Sequence, residues 1–175
     1  MTESSATPLL ASVAGAWQLD PEGTTIEIHT KAMWGLAKVT GTFGAVRGSG
    51  VVGDDGAVSG ELVVDAASID TKNKRRDTHL RSDDFFDVGK YPTFSFAASE
   101  AVPSADGTVR VTGTLRIKDQ SHPTELVATS TKPSPDRVTV RAEATIDRSE
   151  WGLTWAKMGA RLVNRVVVVA QFARS

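Results

Sequence analysis

The residues with the most chemical potential lie between Ser68 and Phe96, in the segment SIDTKNKRRDTHLRSDDFFDVGKYPTFSF. Asp77, His79 and Ser82 are the types that build a hydrolytic triad, in which an acid orients a base that activates a hydroxyl. On a helix, spacings of two and three residues do not bring three side chains to one reacting point. No nucleophile elbow surrounds Ser82 either. His79 and Asp83 share a helical face and could offer a metal two ligands. His29 and His122 fall on other elements, however, and no HExxH run completes a set. The expectation is no catalytic residue, no metal and no cofactor. What remains is a cluster of cations (Lys72, Lys74, Arg75, Arg76), then acids (Asp83, Asp84, Asp87) around the pair Phe85-Phe86. Arg76, whose planar fork suits an anion, and His79 are the expected contacts for a ligand head group. The competing reading is a solvated helix face with a structural Arg81 to Asp77 ion pair at i, i+4.

The elements that must position this segment are strands. Past Trp17 the hydrophobic period is two. Val109, Val111, Gly113, Leu115 and Ile117 alternate with Arg110, Thr112, Thr114, Arg116 and Lys118. Val138, Val140, Ala142, Ala144 and Ile146 alternate with polar partners in the same way. One apolar and one polar face per strand is the pattern of an antiparallel sheet wetted on one side. Turn signals at Asp54-Asp55-Gly56, Asp106-Gly107 and Pro133-Ser134-Pro135-Asp136 separate the strands. The run Val166 to Val169 is apolar on both faces and is expected to be covered on both, by the N-terminal segment or a partner subunit. Eight or nine strands without helix-strand repeats leave a sandwich or a closed barrel. The many small residues on the apolar faces (Gly41, Gly60, Gly113, Ala98, Ala128, Ala142, Ala144) fit a barrel with room for a ligand. They equally fit a sandwich in which bulky neighbours pack over them.

Bulk properties narrow the function. The 175 residues suit one domain, and 20 basic against 21 acidic residues give no global field for nucleic acid or an anionic membrane. With no cysteine there are no disulfides, thiolate metal sites or Cys nucleophiles. No apolar run reaches the ~20 residues needed to span a bilayer. Residues 1–15 read as a disordered lead-in without the basic start of a secretory signal, so a cytoplasmic setting is expected for a single domain over 16–175.

Several blocks together resemble the YceI-like family. They are Trp17-Gln18-Leu19-Asp20-Pro21, Lys38-Val39-Thr40-Gly41-Thr42-Phe43, Ser68-Ile69-Asp70-Thr71 and Arg76-Asp77 with His79-Leu80. Asp84-Phe85-Phe86-Asp87, Tyr91-Pro92-Thr93-Phe94-Ser95-Phe96, Gly113-Thr114-Leu115-Arg116-Ile117 with Pro123, and Arg148-Ser149-Glu150-Trp151-Gly152-Leu153 continue the pattern. The chain departs from it at Gly23-Thr24, at Lys31 to Trp34 and at Lys118 to Pro123.

The resemblance implies an all-β fold, an extended antiparallel lipocalin-like barrel of eight to nine strands with one or two short helices between Asn73 and Val88. It implies non-catalytic carriage or sequestration of an elongated apolar amphiphile, such as a polyisoprenoid, an isoprenoid quinone or a similar lipid. The expected cavity residues are Phe43, Leu62, Leu80, Phe85, Phe86, Phe94, Phe96 and Leu115. Trp34, Trp151, Trp155 and Met158 are expected at an adaptable apolar mouth, where Met fills irregular space and Trp adds area. The alternative is a structural barrel filled by its own side chains and dimeric through the Val166 strand.

Overall fold

The computed structural model describes residues 13–130, 134–156 and 159–175. Met158 and most of the expected lead-in over 1–15 lie outside the described residues. The chain forms strands β1 (Gly15–Ala32), β2 (Ala37–Phe43), β3 (Val46–Val52), β4 (Val58–Asp65), β5 (Ile69–Asp70) and β6 (Thr93–Pro103). β7 (Val109–Ile117), β8 (Gln120–Ser130), β9 (Arg137–Asp147) and β10 (Val163–Arg174) follow. Among the described residues one α-helix, α1 (Lys74–Arg81), interrupts them, with short 3-10 turns at Met33–Gly35, Ala66–Ser68 and Arg148–Trp151.

All strand pairs are antiparallel, in the order β10-β9-β8-β7-β6-β4-β3-β1, and β10 pairs back onto β1. The sheet is thus a closed eight-stranded barrel, which leaves none of these strands without a neighbour on either side. β1 is long enough to serve two neighbours on one edge. Its start pairs with β3 (Trp17 opposite Gly50) and its end with β2 (Ile28 opposite Gly41). β2 then carries the two-residue β5, so β2 and β5 extend one wall above the ring. The offset between these halves is a bulge at Asp20 to Thr25, where the Thr24 hydroxyl donates to the Asp20 carbonyl (2.7 Å) and accepts from the Gln171 amide (3.1 Å).

The alternation seen in the sequence becomes an inside and an outside. Ile26, Phe43, Val64, Phe94, Ala142 and Val168 point to the interior and are buried, while most of their sequence neighbours are exposed or half-buried; Val167, beside Val168, is buried as well. The inward small residues align across strands: Gly50 opposite Gly60, Gly60 opposite Ala98, Ala98 opposite Gly113. Large side chains lean over this row. A Cβ placed on Gly113 would sit 2.8 Å from the tip of the Phe96 ring and collide with the Ala97 carbonyl.

Gly113→Ala is therefore expected to cost about 1–3 kcal/mol through overpacking, read as a lower midpoint in urea unfolding. An unchanged midpoint would show that Phe96 has slack above the glycine row.

Candidate functional site

The interior is filled in one half and open in the other. Leu19, Val111, Ala128, Ala142, Ala170 and Phe172 belong to the packed core at the end where β10 finishes. In the opposite half, walls from β1, β2, β4, β6 to β8, β9 and β10 enclose a cavity of about 610 Å³, a size usual for a small-molecule site. That half is not filled by its own side chains.

Two segments roof the cavity. The first runs from Thr71 to Pro92 and contains α1. Asn73 caps the helix by accepting from the Arg76 amide at 3.0 Å. The buried carboxylate of Asp77 accepts from both the amide (2.9 Å) and the hydroxyl (2.5 Å) of Thr71, tying the helix to β5. Arg76 completes the knot: its Nε donates to the Thr71 hydroxyl and its Nη2 to the Thr71 carbonyl, each at 2.8 Å. The Arg81 to Asp77 ion pair of the competing reading is not formed. Arg81 instead donates to the carbonyls of Ala67 (2.9 Å) and Ile69 (2.8 Å), because the turn beneath the helix presents unpaired oxygens. After α1 the chain doubles back, with the Phe86 amide donating to the Leu80 carbonyl at 2.9 Å. That reversal drives Phe85 and Phe86 into the barrel, where Phe86 meets Phe94 (4.9 Å) and Phe43 (6.2 Å between centroids).

The second segment is the connection from β9 to β10. The Asp147 carboxylate accepts from the Ser149 hydroxyl (2.6 Å) and amide (3.0 Å), which together hold its carboxyl below the usual carboxylate range. Next to it, Arg148 is buried and donates to the carbonyls of Arg161 and Leu153, pinning both ends of the loop. Burial pulls its pKa below the ordinary guanidinium value, partly countered by Asp147. It makes no ion pair among the described residues. The two roof segments meet where the rings of His79 and Trp155 stand 4.5 Å apart.

Of the residues expected from the sequence, Phe43, Leu62, Leu80, Phe85, Phe86, Phe94, Phe96, Leu115 and Trp155 line the cavity, as do Arg76 and His79. Trp151 is placed elsewhere. It is buried in a second cluster, donates to the Leu115 carbonyl at 3.0 Å and packs edge-on against His122. Trp34 lies outside the wall, 77% exposed, at the tip of the β1–β2 hairpin. His79 and Asp83 do not converge with a third ligand, and no cluster of metal-ligating side chains occurs among the described residues.

The lining residues that the sequence reading did not name as site residues include the polar Lys31, Arg148, Arg161 and Asn164. A signal existed for Asn164: it shares the parity of the inward Val166 and Val168, and its buried Oδ1 has no hydrogen-bond partner. Among the described residues the cavity lining contains Lys31, Arg76, Arg148 and Arg161 but no Asp or Glu. Lys31, Met33, Asn73 and Arg161 line the cavity and are also solvent-exposed, so the opening lies among them.

A closed β-barrel with a roofed, apolar, one-ended cavity defines a lipocalin-shaped, binding-type barrel. The sequence model for the YceI-like domain matches residues 17–173, and the chain belongs to that family. It is 30% identical over 122 residues to a UPF0312 protein of Vibrio parahaemolyticus, covering 68% of this chain and 65% of that relative. A UPF0312 protein of Yersinia enterocolitica is 31% identical over 120 residues, 66% of this chain and 62% of the relative. The chain thus matches less than two thirds of the length of these relatives. Among solved structures, Burkholderia cenocepacia BcnA shares the fold with TM-score 0.76 and 20% identity over 90% of this chain and 99% of that one. A polyisoprenoid binding domain from Saccharophagus degradans gives 0.72 and 17% identity, covering 91% and 98%. No helix among the described residues is long and apolar enough to cross a membrane.

Removing the Asp77 carboxylate strands two buried donors on Thr71. Asp77→Ala should lower stability by about 1.5–3 kcal/mol, measured by chemical unfolding. Asp77→Asn, which keeps an acceptor, should recover much of it.

Proposed function

We propose that the protein holds and carries an elongated isoprenoid-type amphiphile, its chain inside the barrel and an acidic head group at the mouth, without catalysing a reaction. The observation that carries this reading is the make-up of the cavity lining: mostly apolar walls, Lys31 and Arg161 exposed at the opening with Arg76 half-buried and Arg148 buried, and no carboxylate among the described residues. Burying a methylene is worth about 0.8 kcal/mol. Ten of them contribute about 8 kcal/mol, on the scale of the association cost for such a ligand. Chain burial therefore supplies the affinity, and the head group sets the choice among amphiphiles.

A phosphate, diphosphate or carboxylate suits the polar part. Thr71 occupies Nε and Nη2 of Arg76 but leaves Nη1 without a partner among the described residues. Arg148 and Arg161 add charge, and the unpaired Asn164 Oδ1 accepts a hydroxyl or a protonated phosphate oxygen. A neutral quinone would use the same walls but leave these cations unanswered. The polyisoprenoid binding described for the Saccharophagus domain, which shares the fold, supports the chain-shaped class of ligand.

Titration of farnesyl, geranylgeranyl and longer prenyl diphosphates, followed by calorimetry, should show affinity rising with each isoprene unit and only modestly reduced by high salt. Equal binding of short and long chains would remove the cavity model. Arg76→Gln should weaken the diphosphate several-fold and leave the matching alcohol unchanged. Leu115→Trp places an indole in the open half and should abolish uptake with little change in melting temperature. A large loss of stability would instead mean that the space is filled.

A further inference from the structure

We propose that the β1–β2 hairpin tip is a docking surface for a lipid bilayer bearing anionic head groups, which brings the cavity mouth to the membrane. The inference deepens the carrier reading, on which its purpose rests, but it stands on different residues. At the tip, Leu36 is 87%, Trp34 77% and Met33 46% exposed, three large apolar side chains within four residues. Among the described residues the other large exposed apolar side chains are single valines spread over the barrel, which is ordinary for a soluble surface. A contiguous apolar projection marks an interaction site.

The tip is also strained. Met33 and Trp34 hold φ of 50° and 57°, a left-handed conformation that bulky L-residues rarely adopt, ahead of Gly35 at 92°. Bulky apolar side chains in a left-handed, solvent-facing turn are unfavourable in water on both counts, and burial in another phase relieves the second.

Three observations point to a bilayer as that phase. The tip lies at the opening: Met33 lines the cavity, Gly159 packs directly on Trp34, and the Arg161 guanidinium adjoins Gly35. It is flanked by exposed Lys31, Lys38 and Arg161, none in an ion pair among the described residues. No acid lies between Lys31 and Lys38, in a chain whose overall charge is −1, so the positive zone is local. Trp and Leu flanked by Lys and Arg is the composition that settles at the head-group boundary of a bilayer. The cations supply the attraction to acidic lipids.

The test is co-sedimentation of the full chain with phosphatidylcholine vesicles, with and without phosphatidylglycerol. The wild type should pellet with the mixed vesicles and release in high salt. The variant Leu36→Asp/Lys38→Glu, whose altered side chains lie outside the cavity wall, should bind at least tenfold more weakly. Its melting temperature and its uptake of geranylgeranyl diphosphate from free solution should not change. Bromine-bearing acyl chains should quench the wild-type fluorescence, and Trp34→Phe should remove that quenching. The proposal is overturned if the wild type stays in the supernatant with both vesicle types, or if the double variant pellets equally well. Self-association abolished by Leu36→Asp without vesicle binding would assign the tip to a second copy and also overturn it. Vesicle binding without uptake of geranylgeranyl diphosphate would sink the carrier reading and leave the docking surface standing.

Discussion

The hydrogen-bonded seam between β1 and β10 is the constraint on which the rest of the molecule depends. It runs from Trp17 opposite Arg174 to His29 opposite Arg165, joining strands at opposite ends of the described chain. Without it the same strands would form an open sheet with two long unpaired edges, each a template for aggregation. With it the sheet curls into a tube whose radius is set by strand number rather than by the volume of the side chains inside. The interior can then be wider than its own residues fill. The glycine and alanine row across β3, β4, β6 and β7 is tolerable because hydrogen bonds around the ring, rather than interdigitated side chains alone, hold the wall apart.

A tube held open this way needs a roof that does not depend on core packing, and the two roof segments use buried polar knots for that purpose. Asp77 with Thr71 and Arg76 fixes one, and Arg148 with the carbonyls of Leu153 and Arg161 fixes the other. Such networks are directional, so they set where a segment sits more sharply than apolar contact does. Between the knots, the two roof segments touch through the ring pair of His79 and Trp155 and through the Arg148 guanidinium, 5.3 Å from the centroid of the Phe85 ring. The arrangement is firm at its anchors and light at its join.

Strand positions were legible because a period of two survives in any half-buried sheet, and Val109 to Ile117 or Val138 to Ile146 could be read residue by residue. Closure was not legible in that alternation, because a sandwich gives the same pattern; the barrel was implied only by the resemblance to the YceI-like family. What distinguishes them is the long-range pairing of Ile28 with Val166, to which local pattern is blind. Phe43 on β2, Leu62 on β4, Phe94 and Phe96 on β6 and Leu115 on β7 line the cavity because strand parity dictates their side. Loop residues did not follow any such rule. Trp151 turned from the mouth to cap the Leu115 carbonyl, and Trp34 projected into solvent, since their directions come from tertiary contacts and turn angles. Helical spacing offered Asp77 as one partner for Arg81, yet its guanidinium donates instead to carbonyls just off the helix. Arg148 stood within a recognisable block, but nothing in its neighbours reveals that a buried cation would be held by two carbonyls and the face of Phe85 rather than by an ion pair.

The filled half of the barrel has a kinetic meaning. Beyond Ile26, Leu126 and Val168 the bore ends in packed side chains, so the cavity is a blind alley with one door. A chain-shaped guest in a blind alley keeps a fixed polarity: its tail enters first, its head enters last, and departure retraces the route in reverse order. No second molecule can push from behind. Turnover of the occupant is then governed by events at the door alone, and a change there would alter the lifetime of the guest without altering the walls that receive it.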